Sequence, residues 1–223
     1  MQYLVAPPHH KAVPLVMSSP SIHRAAGAIA LVSALAAATL LLGSGPEVAI
    51  AACGGVKYAP PRRINQFHRP PLAIGDSTML LAVKPLARAG FEANARGCRP
   101  VYEGLGLLAR RKRQRRLPKV VLMHLGLNAG ITTADIRRGL GILGRRRILV
   151  LVTPRGGHDS RIIRAAGRRW PRRVRVLDWA GIYHGHHEYF SEPHGLHLSQ
   201  TGVRVFVRLC VKLVLPLNRR RSN

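Results

Sequence analysis

Short, nearly continuous apolar runs alternate along this chain with longer stretches in which apolar residues recur every three or four positions. The runs are PLAIG (71–75), KVVLMHLG (119–126), RILVLVTP (147–154) and VRVLDW (174–179), with a weaker one in FEANA (91–95). Runs of this length, bounded by Gly and Pro, predict strands buried on both faces. Helical spacing fills the intervals: TMLLAVKPLARAG (78–90), broken or kinked at Pro85 and stopped by Gly90; VYEGLGLLARRKRQRR (101–116); TADIRRGLGILG (133–144), opened by a Thr cap and an Asp; DSRIIRAAGRRW (159–170); and SQTGVRVFVRLCVKLVL (199–215). Strand followed by helix, repeatedly, predicts an α/β domain over 71–215 with a parallel sheet covered by helices on both faces. Chemistry in such sheets gathers at the carboxyl ends of the strands. Gly75-Asp76-Ser77 and Gly126-Leu127-Asn128 each follow a predicted strand, so both loops belong on that edge. No internal repeat is present.

The first 70 residues follow a different pattern. Residues 25–43, AAGAIALVSALAAATLLLG, carry no charge, with Lys11 and Arg24 before them and Ala49 and Ala51 after them in an Ala-x-Ala arrangement. Residues 25–52 therefore read as a signal peptide, or as an uncleaved anchor that would make the membrane a partner. Residues 1–24 are a long lead, and Met17 would give a more ordinary one. IAAC (50–53) resembles a lipoprotein box but lies about ten residues beyond the apolar run. Residues 53–70, rich in Gly, Pro and Arg, read as a linker, and 216–223 as a basic tail. These features predict a secreted or extracytoplasmic protein.

Charge changes the picture further. Lys and Arg number 36 against 9 Asp and Glu, for a formal charge of +27. Such a balance suits an anionic surrounding such as a cell envelope, although compositional drift toward Arg would produce it too. Aromatic residues make up 5% of the chain and do not accompany the basic run RRKRQRR, which argues against base-specific nucleic-acid recognition. Three cysteines form no CxxC and no zinc spacing; Cys53 with Cys98 is the first candidate for a disulfide if the protein is exported, and three free thiols are the alternative. The histidines of YHGHHEYF, His184, His186 and His187, read as surface residues before metal ligands, and no cofactor is expected. Asp178 reads as a loop cap.

One constellation carries chemistry. Ser77 follows a strand at a Gly-Asp-Ser corner, and His197 lies in EPHGLHLSQTG (192–202) just before the final helix. A serine hydroxyl becomes a nucleophile when a positioned imidazole takes its proton. Each residue also has a plainer role available: Ser77 beside Asp76 as a helix cap, Asn128 as a turn residue, His197 as a structural loop histidine. Taken together, Gly-Asp-Ser at 75–77, Gly97 in ARGCR, Gly-x-Asn at 126–128 and His197 in HGLHL come in the order of the four blocks of the SGNH (GDSL-type) hydrolases. AIGDSTML, VLVTPR, VRVLDW and GLHLSQTG are similar to a secreted actinobacterial branch and to the SGNH domains of cell-wall O-acyltransferases.

The resemblance covers residues 71 to 214 and implies a three-layer α/β/α sandwich acting without metal or cofactor on ester bonds, with a small ester or an acylated glycan as substrate. Ser77 would be the nucleophile and His197 the general base. The Ser77 and Gly97 amides and the Asn128 side chain would receive the oxyanion. Two departures stand out. Leu127 occupies a position commonly held by Thr. The family's Asp, three residues before the base histidine, is here His194. Glu192 reaching back across Pro193, a neutral His194 holding the ring, or a weakened or silent site are the three outcomes. The expectation is an exported serine esterase or O-acyl (acetyl) transferase; the alternative is a non-catalytic module that binds envelope glycans or polyanions.

Overall fold

The computed structural model describes residues 53, 55–62, 69–155, 157–182, 184–191 and 195–219. The signal or anchor assignment at 25–52 lies outside them. Among the described residues no helix is long and apolar enough to cross a membrane.

Six strands, β1 (Val56–Ala59), β2 (Leu72–Gly75), β3 (Glu92–Arg96), β4 (Val120–His124), β5 (Ile148–Val152) and β6 (Val174–Leu177), form one sheet in the order β1-β3-β2-β4-β5-β6. Every neighbouring pair is parallel except β1 with β3. A 3-10 turn over Ser77–Ala82 runs into α1 (Val83–Arg88); then come α2 (Val101–Arg113), α3 (Thr133–Leu143), α4 (Gly157–Arg169), a single turn α5 (Trp179–Ile182) and α6 (Gln200–Arg219). The expected α/β architecture is present, with helices on both faces of a mostly parallel sheet.

The strands read as continuous apolar runs because each of their faces meets a helix layer. Side chains alternate between faces with period two. Ala73, Val120, Leu122, Val150 and Val152 join one core with Met79 and Leu86 and with Phe206, Cys210 and Val214 of α6. Leu72, Ile74, Val121, Met123, Leu149 and Leu151 join the other, with residues of α2, α3 and α4. α3 starts with a capping box: Thr132 accepts from the Asp135 amide, and the Asp135 carboxylate accepts from the Thr132 amide.

Three expectations need adjustment. Residues 53–70 contain β1 as well as connecting chain. Its VKYA sequence is short and mostly exposed, so no buried face produced a pattern, and long-range pairing with β3 makes it a strand. The break expected at Pro85 is a change of helix type at Val83, with Pro85 in the first turn of α1. The last helix passes residue 215 and continues to Arg219 with Leu217 and Asn218 buried; Asn218 Nδ2 donates to the Arg69 carbonyl at 3.1 Å. Residues 216–219 are therefore part of the fold. Cys53 and Cys98 are disulfide-bonded and Cys210 is a buried free thiol. A Cys53 sulfur held in that bond cannot also carry a lipid thioether.

Candidate active site

β2 lies between β3 and β4, although the chain visits β3 first and then crosses back to β4. Strand order reverses there, and the carboxyl ends of β2 and β4 border the resulting crevice. Gly75, the last residue of β2, is in register with His124, the last of β4. The Gly75-Asp76-Ser77 and Gly126-Leu127-Asn128 loops leave these two ends side by side.

The corner after β2 is tight. A Cβ on Gly75 would sit 2.5 Å from the Met79 Cβ, so only glycine lets the chain fold directly into the 3-10 turn. Asp76 is extended and caps that turn. Its carboxylate is 1% exposed and is held by donors: the Thr78 amide at 3.0 Å, the Thr78 hydroxyl at 2.6 Å and Asn128 Nδ2 at 3.3 Å. A buried carboxylate persists only when surrounded in this way. Ser77 is half-buried at the start of the turn, between Asp76 and Thr78. Asp76 thus ties the Asn128 loop to the serine corner. An amide group carries two N–H bonds, so Asn128 can donate one to Asp76 and keep the other for a substrate oxygen.

Two further residues brace the corner, and sequence reasoning did not single out either. Arg99 is 2% exposed; it donates to the Gly75 carbonyl at 3.0 Å and to the Asn94 carbonyl and side chain at 3.1 and 2.6 Å. Glu103 Oε1 lies 3.6 Å from its Nε. His124 lies fully buried beneath the turn, with Nδ1 3.4 Å from the Thr78 hydroxyl and its ring stacked on Phe206 at 5.4 Å. Burial pushes its pKa below the ordinary histidine value while the nearby Asp76 charge opposes the shift, so His124 is held neutral. No sequence signal separates it from the other residues of an apolar strand.

His197 is half-buried in the segment that leads into α6. Its carbonyl accepts from the Ser191 amide at 3.0 Å, and Leu198 bridges to Phe190 in antiparallel fashion. The segment is pinned further where Ser199 caps α6 by accepting from the Gly202 amide at 3.0 Å. Gly202 is required because a Cβ there would sit 1.9 Å from the Tyr189 carbonyl oxygen. A narrow cavity of about 10 Å³, room for about one water, lies between this segment and the serine corner. Thr78 and His124 line one part, Gly195 and Leu196 another, and Arg155, Trp179, Ala180 and Phe190 complete it. The immediate neighbours of Ser77 and His197 therefore face a common space.

The remaining expected site residues fare differently. The Gly97 amide donates to the Gly55 carbonyl at 3.2 Å, which extends the β1–β3 pairing and turns that donor toward β1. Glu192 and His194 lie outside the described residues. Asp178 is a cap, as expected: it accepts from Thr153 Oγ1 at 2.9 Å and the Gly181 amide at 3.2 Å and takes a two-pronged contact from Arg164. Burial alone would raise its pKa, but Arg164 and the other donors hold it below the usual carboxylate range. His186 contacts the Glu188 carboxylate at 2.8 Å and stacks on Tyr189.

Against known proteins, no family model and no curated sequence matches the chain. Solved structures do. The C-terminal catalytic domain of Streptococcus pneumoniae peptidoglycan O-acetyltransferase A, determined with a methylsulfonyl adduct, superposes with a TM-score of 0.61 at 18% identity over 70% of this chain and 98% of that one. The chain has the SGNH (GDSL-type) hydrolase fold. A lipase/acylhydrolase from Enterococcus faecalis (TM-score 0.48, 18% identity, 69% of this chain and 98% of that one) and a carbohydrate esterase family 3 protein from Talaromyces cellulolyticus (0.45, 12%, 68% and 100%) also match. In this SGNH frame the serine corner, the Asn loop and the histidine segment occupy one edge of the sheet.

Proposed function

We propose that the chain is an extracytoplasmic serine O-acyl esterase or acyltransferase, with acetyl esters on glycans as its substrate class. The observation that carries this reading is the joining of the Ser77 corner to the Asn128 loop through Asp76, with the neighbours of Ser77 and His197 lining one cavity. The fold shared with an O-acetyltransferase domain supports it.

Ser77 Oγ attacks the ester carbonyl as its proton moves to the His197 imidazole. The carbonyl oxygen gains negative charge and is received by the Ser77 amide and the second N–H of Asn128, donors fixed before reaction begins. The tetrahedral species collapses when His197 returns the proton to the departing alkoxide, leaving an acyl ester on Ser77. Water or a sugar hydroxyl then attacks, giving up its proton to His197, which passes it to Ser77 Oγ as the acyl group departs. Gly97 can add a third donor only by releasing the Gly55 carbonyl. The chain's residues need no metal for these steps.

The disulfide supports placement outside the reducing cytoplasm, as does the apolar segment at 25–43. The test is covalent labelling of the chain with a fluorophosphonate, mapped by mass spectrometry. Labelling at Ser77 that disappears in both Ser77→Ala and His197→Ala is expected. A folded protein that takes no label would instead support the non-catalytic, glycan-binding alternative.

A further inference from the structure

Parallel crossovers place the C-termini of α1 to α4 on the amino edge of the next strand, opposite the edge that carries Ser77. That topology sorts the charges of this chain. Basic residues crowd the three connections on the amino edge: seven between 110 and 119, three between 145 and 147, and four between 168 and 173. The second and third connections touch, since Arg173 Nε donates to the Arg147 carbonyl at 3.0 Å, and Lys112 Nζ reaches the last turn of α3 at the Gly141 carbonyl, 3.4 Å away. The acids go the other way. Among the described residues, Asp76, Glu103, Asp135, Asp159 and Asp178 sit at carboxyl ends of strands or in first turns of helices, whereas Glu92 alone lies on the amino edge, already paired with Arg111. Complementing the helix dipoles explains a cation or two at each helix end, and it does not explain seven in ten residues.

The rim continues into a groove. An open cleft of about 490 Å³ runs along β6, the edge strand, from Pro171 before it to Asp178 after it, lined by Arg164, Arg168 and Arg175 as well as Val174 and Val176. Arg164 neutralises Asp178, so Arg168 and Arg175 leave the groove positive. Guanidinium groups suit phosphate oxygens. The cleft is shallow and follows a four-residue strand, about 13 Å at the usual rise per residue, so it offers an extended chain a line of guanidinium groups along which to lie. Trp170 is the one aromatic residue in the three connections, and Arg169 covers its ring at 5.3 Å, so there is no platform for stacking bases.

From this we propose that the amino-edge rim, on the edge opposite the candidate active site, and the β6 groove that leads from it bind a linear phosphodiester polymer with a polyol or sugar backbone. The proposal is independent of the catalytic reading.

Binding of fluorescent poly(glycerol phosphate) to the full chain, followed by anisotropy across a salt series, tests it. The rim variant R145Q/R146Q/R168Q/R172Q alters exposed side chains. K84Q/R204Q/R208Q/K212Q removes the same charge from exposed positions on α1 and α6, on the other face, and thermal melting verifies that both variants are folded. We expect the rim variant to weaken binding by about tenfold or more near 0.15 M salt, and to reduce the log–log salt slope by roughly 3, at about 0.7 per phosphate contact on a single strand. The control should stay within about twofold of wild type. Equal loss in both variants would reduce the effect to net charge and overturn the proposal. So would single-stranded DNA of equal phosphate count binding as tightly, or a larger rim-dependent loss on phosphatidylglycerol vesicles than on the polymer.

Discussion

At the scale of single residues, two histidines carry the sharpest expectations. His194 stands where an SGNH-type triad would place its acid, so the proposed base His197 has no carboxylate three residues before it. Loss of the acid in the serine-protease triad costs on the order of 10⁴ in rate. His194→Asp is therefore expected to raise ester turnover by about tenfold or more, within that ceiling, as read from kcat on an acetyl ester; unchanged or lower turnover would refute the missing-acid account. His124 concerns stability instead. Its pKa is lowered in the folded protein by burial, while in the unfolded chain it returns to about 6.5. The unfolded state then binds the extra proton first, so stability is fully present above about pH 6.5 and declines as pH falls below it. Melting temperatures taken from pH 7.5 down to 5 should fall, and His124→Gln should flatten that fall. Parallel pH profiles for the two proteins would show that another group is responsible.

At the scale of elements, the Cys53–Cys98 bond decides whether β1 stays on the sheet. β1 is short, with Val56 and Tyr58 more than half exposed, and among the described residues its ladder partner is β3 alone. The disulfide joins the residues before β1 to the turn after β3 across a sequence separation of 45. Closing a loop of that size restricts the unfolded chain by up to about 4 kcal/mol. Cys53→Ser with Cys98→Ser is expected to lower the urea midpoint accordingly and to increase hydrogen exchange at Val56–Ala59 before the central strands. An unchanged midpoint would show that the strand pairing holds β1 unaided. The same loss would free the Gly97 amide, whose bond to Gly55 depends on β1 remaining in place.

At the scale of the whole molecule, the division of charge follows from topology. The fold gathers helix starts and their acids on the edge that holds the serine, and helix ends with their arginines on the opposite edge. The two edges should respond differently to salt. Attack on a small neutral ester involves no counterion release, whereas a phosphate polymer on the rim displaces several. Compositional drift alone gives no reason for fourteen basic residues to fall in three connections on one edge.

The order of strands and helices was legible in the sequence because periodicity is local: the pattern marks every parallel strand, and the Gly-Asp-Ser corner stands out by falling where an apolar run ends. The shared edge of Ser77 and Asn128 followed from the same alternation. What only tertiary structure decided depends on contacts between residues far apart in the chain. The exposed strand β1 has no buried face to pattern it. Asp76 gains its role from Asn128, Arg99 from Asn94 and the Gly75 carbonyl, and His124 from Phe206 and Thr78, none of which announces itself by spacing. The direction of the Gly97 amide was decided by Gly55, and the basic rim by three connections, each unremarkable alone, that parallel crossovers bring to the same edge.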